Sequence, residues 1–180
     1  LLVAKRRSTL RKLHELIREG AMEKHYLALL VGDLPRERVS VNAALAKNVL
    51  KGGERMVRVD ETSGKPARTL FRRLARASLD GQTLTLVDAE LITGRTHQIR
   101  VHAAHLGAPL AGDAKYGDFE ANRRLKSIGL GRLFLHASRL KVEAYHLERP
   151  LSVSAPLPDD LAGVLRALGI DPPTTADAHP

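Results

Sequence analysis

Between Thr83 and Leu106 the chain changes its hydrophobic period, and that change limits the folds open to it. Thr83 to Ile92 (TLTLVDAELI) alternates apolar and polar residues for much of its length, the two-residue period of a half-buried strand. Ile99, Ala103 and Leu106 then recur at helical spacing, with Thr96 placed to cap the helix and Gly107 to close it just before Pro109. Strand, tight glycine turn and helix make a rigid frame for charged groups and point to a mixed α+β chain.

The rest of the chain reads in the same mixed way. Leu1 to Lys5 has the pattern of a strand already under way. Leu1 is not a methionine, and so abrupt a start predicts protein N-terminal to it. Ser8 can cap a helix carrying Leu10, Leu13, Leu16 and Ile17, with Gly20 placed to end it in the left-handed conformation. Tyr26 to Val31 predicts a buried strand and Gly32 to Arg38 a loop. Residues 39–78 read as short strands joined by turns at Lys51-Gly52-Gly53-Glu54 and Ser63-Gly64-Lys65-Pro66. Gly112 to Asp118 is a Gly/Asp-rich loop, Leu133 to Ala144 one strand or two joined by a bend, and Leu161 to Leu168 a short helix closed by Gly169. Many strands, few helices and no regular βαβ alternation predict an α+β fold: a largely antiparallel mixed sheet flanked by a few helices. One domain over residues 1–170 is expected, followed by a mobile tail from Asp171 to Pro180.

Charge is spread unevenly. The net charge is +9, yet residues 1–78 hold 18 Lys/Arg against 8 Asp/Glu while residues 79–180 hold 11 against 12. A basic half beside a neutral one predicts a face that meets a polyanion such as RNA or DNA. Aromatic residues are only 3%, too few for a broad base-stacking platform. There is no cysteine, which excludes disulfides, thiolate metal sites and cysteine nucleophiles. No apolar run is long enough to cross a bilayer as a helix, and no signal peptide opens the chain, so a cytoplasmic protein is expected.

Chemistry concentrates in Leu91 to Asp118, where Arg95, His97, Gln98, Arg100, His102 and His105 fall on the start and body of one helix. Free N–H groups at a helix start, flanked by arginines, suit a phosphate or a carboxylate. The histidines are spaced five and then three, off any single helical face, and no His-Glu-x-x-His run occurs, so no metal site is expected. Neither a phosphate-binding Gly-x-x-x-x-Gly-Lys-Ser/Thr loop nor a Gly-x-Ser-x-Gly elbow is present. On residue types alone, these side chains could equally cap and pack the helix.

Thr93-Gly94-Arg95-Thr96-His97-Gln98-Ile99-Arg100-Val101-His102, followed by Gly112-Asp113 and Tyr116-Gly117, resembles the signature of the RluA-type pseudouridine synthases. Lys24-His25-Tyr26-Leu27-Ala28 is similar to that family's Lys-x-Tyr motif, and Leu133 to Ser138 and Ala155 to Pro158 to its later landmarks. Lys47-Asn48, Gly53 to Val59 and Gly64-Lys65 resemble most the branch called RluC, which acts on large-subunit (23S) ribosomal RNA. The likeness covers about residues 1–165.

The resemblance implies a pseudouridine synthase catalytic fold and the isomerisation of specific uridines in 23S ribosomal RNA, alone or in a pre-ribosomal particle. It implies no cofactor; with no long apolar run and no obvious self-association surface in the sequence, no membrane and a monomer are expected. The family's nucleophile is the aspartate of an Arg-Leu-Asp-x-x-Thr-Ser-Gly motif, absent from this chain and expected just upstream of Leu1, beyond it a small S4-like domain. The 180 residues alone are therefore expected to be inactive. By the same resemblance Tyr26 is the active-site tyrosine, stacking on the target base and helping proton transfer at its carbon 5. Arg95 and Arg100 both qualify to pair with the nucleophile, with Arg100 preferred. The other arginine, with His97 and Gln98, would hold RNA phosphate or the loop itself. Arg55, Lys65, Arg11 and Lys12 are candidate RNA contacts, together with Arg7, Arg18, Lys51 and Arg58. Asp113 and Asp118 lie in turns, where aspartate bonds nearby backbone, and are expected to be structural. A non-catalytic RNA-binding or ribosome-assembly protein on the same fold is the alternative.

Overall fold

The computed structural model describes residues 3–49, 55–143 and 149–174. Six strands form one sheet: β1 (Glu23–Val31), β2 (Arg38–Asn42), β5 (Arg68–Leu79), β6 (Gln82–Leu91), β7 (Leu135–Val142) and β8 (Leu151–Ser154). Their order is β2-β5-β6-β1-β7-β8, and every described pairing is antiparallel. A separate hairpin pairs β3 (Leu45–Val49) with β4 (Arg55–Val59). Four helices complete the described residues: α1 (Arg7–Glu19), α2 (Gln98–His105), α3 (Phe119–Lys126) and α4 (Asp159–Ala167).

The period-two pattern of β1 decides how the core divides. Leu29 and Val31 point to one face, where Leu84, Leu86 and Phe134 meet Leu125 of α3 and Leu161 and Leu165 of α4. Ala28 and Leu30 point to the other, where Val87, Ala89 and Phe71 meet Ile99 and Ala103 of α2. With helices on both faces, β6 is buried continuously from Leu84 to Ala89. It is not the half-buried strand its alternation suggests, because Thr85 and Asp88, its polar positions, lie beneath cover as well.

Several local expectations change. Val3 to Lys5 form no strand, and Leu1 and Leu2 lie outside the described residues. Ser8 is inside α1, whose N-cap is Arg6 without any side-chain bond. Thr96 does not cap α2 either: His97 holds the cap position in the left-handed region (φ 54°). Gly20, Gly107 and Gly169 do end their helices at positive φ, as read from the sequence. Asp118 accepts the Ala121 N–H at 2.9 Å and so starts α3, a helix the sequence did not reveal. Leu135–Val142 is a single strand, Asp171 to Thr174 have no regular structure, and the Lys51–Glu54 turn and residues 175–180 of the tail lie outside the described residues. No helix among the described residues is long and apolar enough to cross a membrane.

Candidate functional site

Lys24 and Tyr26, two residues apart on β1, share a face and line a cavity of about 480 Å³. Tyr26 stands opposite Ala89 on β6 and Ala137 on β7, so both cross-strand neighbours are small and leave space beside the ring. The register of β1 with β7 shifts between His25 and Tyr26, where Ser138 is the extra residue on β7 and its hydroxyl donates to the His25 carbonyl (3.1 Å). Burial pushes the Tyr26 phenol above its ordinary value, keeping it neutral, and pushes the Lys24 ammonium below its own. Met22, Leu91, Leu140 and Val153 supply an apolar wall, while Arg95 and Arg139 add positive charge. No aspartate or glutamate lines this cavity among the described residues.

Arg95 reaches the rim because the Thr93–His97 turn is clamped from below. The Gln98 amide is buried and fully used: Nε2 donates to the Arg68 carbonyl (2.9 Å) and Thr69 Oγ1 (3.0 Å), while Oε1 accepts from Thr93 Oγ1 (2.7 Å) and Arg95 N–H (2.9 Å). Gln98 is thus buried, and its amide ties the Thr93–His97 turn to β5. Arg95 Nε donates to the Pro66 carbonyl at 3.1 Å. Arg95 and Gly94 also border a second cavity of about 410 Å³, shared with Lys47 and Lys65 of the hairpin region.

The other motif residues gather at α2, outside the Tyr26 cavity. Arg100 makes a two-pronged ion pair with Asp113 and lies over the Tyr116 ring, 4.8 Å from its centre. The Tyr116 hydroxyl accepts the Val57 N–H of β4 (3.0 Å) and sits 2.9 Å from His97 Nδ1. Burial, then the charges of Arg100 and Lys115, press the His97 pKa down and favour the neutral imidazole. One knot of four side chains thus fastens the hairpin to the start of α2. His102, also from the motif, is a core residue, its ring closed between Thr69 and Ala43.

Of the residues singled out from the sequence, Tyr26 and Arg95 share one cavity, Lys65 joins Arg95 at the next, and His97 and Arg100 form the knot. Arg11 and Lys12 are exposed on α1, Lys12 within 3.1 Å of Glu15. Arg55 opens β4, and its side chain lies outside the described residues, as does Lys51. Sequence reasoning gave Lys24 no role, although its two-residue offset from Tyr26 already set both on one strand face. It also left Arg100 without its Asp113 partner. A larger cavity, about 710 Å³, opens beside His25 and Asp88, where His25 Nδ1 lies 3.1 Å from each Asp88 oxygen.

Comparison with known proteins finds a matching family, two relatives and a solved structure of similar fold. The family described as RNA pseudouridylate synthase matches residues 1–105. The chain is 46% identical over 170 residues to ribosomal large subunit pseudouridine synthase C of Escherichia coli K12, covering 93% of this chain and 52% of that protein. To the protein of the same name from Yersinia pestis it is 45% identical over 168 residues, covering 93% of this chain and 51% of the relative. The chain therefore spans about half the length of the curated relatives it matches. Among solved structures, human RNA pseudouridylate synthase domain containing 1 superposes with a TM-score of 0.72 at 26% identity, over 96% of this chain and 76% of that one.

Proposed function

The chain belongs to the RNA pseudouridylate synthase family, and from that membership we propose that its protein isomerises uridines of large-subunit ribosomal RNA to pseudouridine in the cytoplasm. The Tyr26 cavity carries the proposal: an aromatic ring between two alanines, rimmed by cations with no described carboxylate, suits a flipped base on a polyanionic chain.

A uridine must leave its stack to be rearranged, and unstacking costs a few kcal/mol. Stacking on the Tyr26 ring offsets part of that cost. In the reaction the bond between base N1 and ribose C1′ breaks, the base turns, a bond forms from C5 to C1′, the C5 proton is lost and N1 takes up a proton from solvent. Substrate and product are isomers, so the proposed conversion needs no cofactor, and a single protein chain is proposed to carry it out. It does need a nucleophilic carboxylate beside Tyr26, and the 180 residues contain no Arg-Leu-Asp motif to supply it. Arg100 lies outside the Tyr26 cavity, its Nε and Nη2 held by Asp113. It is proposed as the cation that keeps the nucleophilic carboxylate ionised, which requires that carboxylate to enter between the cavity and α2 and to use donors that Asp113 leaves open. Arg95, Lys65 and His97 border the RNA path, with Arg55, Arg11 and Lys12 on more distant backbone.

The test is tritium release from large-subunit ribosomal RNA carrying 5-tritiated uridine, with the complete gene product and the 180-residue chain side by side. Release by the complete product establishes the synthase. Binding of RNA without release by either protein would instead make this a non-catalytic RNA-binding or assembly protein.

A further inference from the structure

Lys24 lines the Tyr26 cavity in a setting that calls for an anion. The cavity holds three cations (Lys24, Arg95 and Arg139) and the neutral Tyr26 phenol, against no aspartate or glutamate among the described residues. Among the described residues Lys24 makes no ion pair or hydrogen bond, unlike Lys12 or Lys141. Burial lowers its pKa, and no described carboxylate offsets the loss of water. Gly94 faces it: a Cβ at Gly94 would stand 3.8 Å from the ammonium nitrogen, and any longer side chain would cover it. The single carboxylate that the proposed reaction brings beside Tyr26 would balance one of these three cations, so a half-buried ammonium left uncovered by a glycine still favours a further anion.

Taking the proposed RNA reaction as its premise, we infer that Lys24, with Arg95 across Gly94, grips a backbone phosphate next to the uridine that stacks on Tyr26. The two β1 side chains are offset by about 6.6 Å along the strand, so one nucleotide can lay its base on the ring and its backbone on the ammonium. A compact ammonium with three rotatable donors suits a phosphate oxygen whose direction varies, whereas the fork of Arg95 suits two oxygens at once. Lys24 therefore fixes where the backbone runs relative to the ring, and with it which nucleotide is presented. It is a binding and positioning residue.

The experiment measures binding of pentauridylate to wild-type protein, Lys24→Met and Lys24→Arg across a salt series. The same titrations use pentauridylate with neutral methylphosphonate linkages, and thermal melts confirm folding. Lys24→Met should weaken binding to the charged oligonucleotide about fivefold and flatten the slope of log affinity against log salt by about 0.7, the share of one phosphate contact on a single strand. Lys24→Arg should keep most of the affinity. On the neutral oligonucleotide, wild type and Lys24→Met should bind alike. Equal binding of the charged oligonucleotide by wild type and Lys24→Met overturns the inference, as does an undiminished loss on the neutral one. Should Lys24→Met not fold, Lys24→Gln makes the same comparison. If wild-type protein binds no RNA at all, the RNA premise fails as well, which separates that failure from one confined to Lys24.

Discussion

Arg100 and Asp113 meet end on, with Nε 2.7 Å from Oδ2 and Nη2 2.7 Å from Oδ1, and the carboxylate is closed off from solvent. Asp113 Oδ1 also accepts the Lys115 and Tyr116 N–H groups, so one side chain joins α2 to the turn that leads to α3. Burial alone would raise this carboxyl, but the Arg100 bonds and the two backbone N–H groups hold it below the ordinary aspartate value. Asp113→Ala strands a part-buried guanidinium and two N–H groups, and should cost about 3 kcal/mol in denaturant unfolding at neutral pH. Because the folded pKa is depressed, this stability is complete above the ordinary value of 3.8 and is lost as pH falls through the lower folded one. The variant should accordingly lose less on acidification than wild type; parallel acid limbs would show that the pair does not set the titration.

His102 supplies a second pH dependence, of opposite chemistry but the same direction. Its ring is fully buried, with Nε2 donating to the Ala43 carbonyl (3.0 Å) and Nδ1 accepting from the Thr69 hydroxyl (2.9 Å). Burial first, and then the charge of His105, lower its pKa from 6.5. The folded state thus binds fewer protons than the unfolded chain below that value. Stability is present above it and falls with pH through the lower folded pKa. His102→Gln, which keeps a donor for Ala43, should reduce the stability difference between about pH 7.5 and about pH 5.5. His97, lowered in the same direction, preserves part of the slope. An unchanged difference would assign the whole dependence elsewhere.

Two glycines with similar backbones should respond very differently to alanine. Gly112 has φ 73°, and a Cβ there would meet the Arg132 carbonyl oxygen at 2.1 Å. Gly81 has φ 78° with nothing within 4 Å. Gly81→Ala should lose about 1 kcal/mol, the cost of a left-handed alanine, and Gly112→Ala at least about 2 kcal/mol more, because backbone must move. Equal losses would mean that the Gly112 turn shifts freely.

What the sequence revealed and what it hid follow one physical division. The strand from Tyr26 to Val31 and the closing glycines Gly20 and Gly107 are legible because period and glycine conformation are local properties. The helix starts were not: Ser8 and Thr96 have capping chemistry, but Gln98 draws Thr93 and Arg95 into the loop clamp, and the α2 start falls on His97. α3 was invisible because its apolar residues are few, with Ala121 and Leu125 buried and Phe119 left 78% exposed, so no stripe forms. The partner of Arg100 is thirteen residues away across a turn, a distance no periodicity encodes. Lys24 carries no signal of its own beyond its motif; its separation from the described carboxylates exists only once β1, β7 and the Gly94 turn come together.

Tyr26 separates stacking from proton chemistry within one side chain. The ring is flanked by Ala89 and Ala137, so a base can lie against it, and removing it takes away a stack worth about 1–3 kcal/mol. Tyr26→Ala should therefore weaken pentauridylate binding by about tenfold, at the lower end of that range, and abolish tritium release by the complete gene product. Tyr26→Phe keeps the ring and loses only the hydroxyl, so binding should stay within about twofold of wild type while release falls if the phenol helps move the C5 proton. Burial raises the phenol above its ordinary value of 10.0, so it stays protonated through the neutral range. Any fall in release between about pH 6 and about pH 9 must then come from another group, and Tyr26→Phe should leave the shape of that profile unchanged. A Tyr26→Ala protein that binds pentauridylate as tightly as wild type would place the base elsewhere in the cavity and remove the tyrosine from the site.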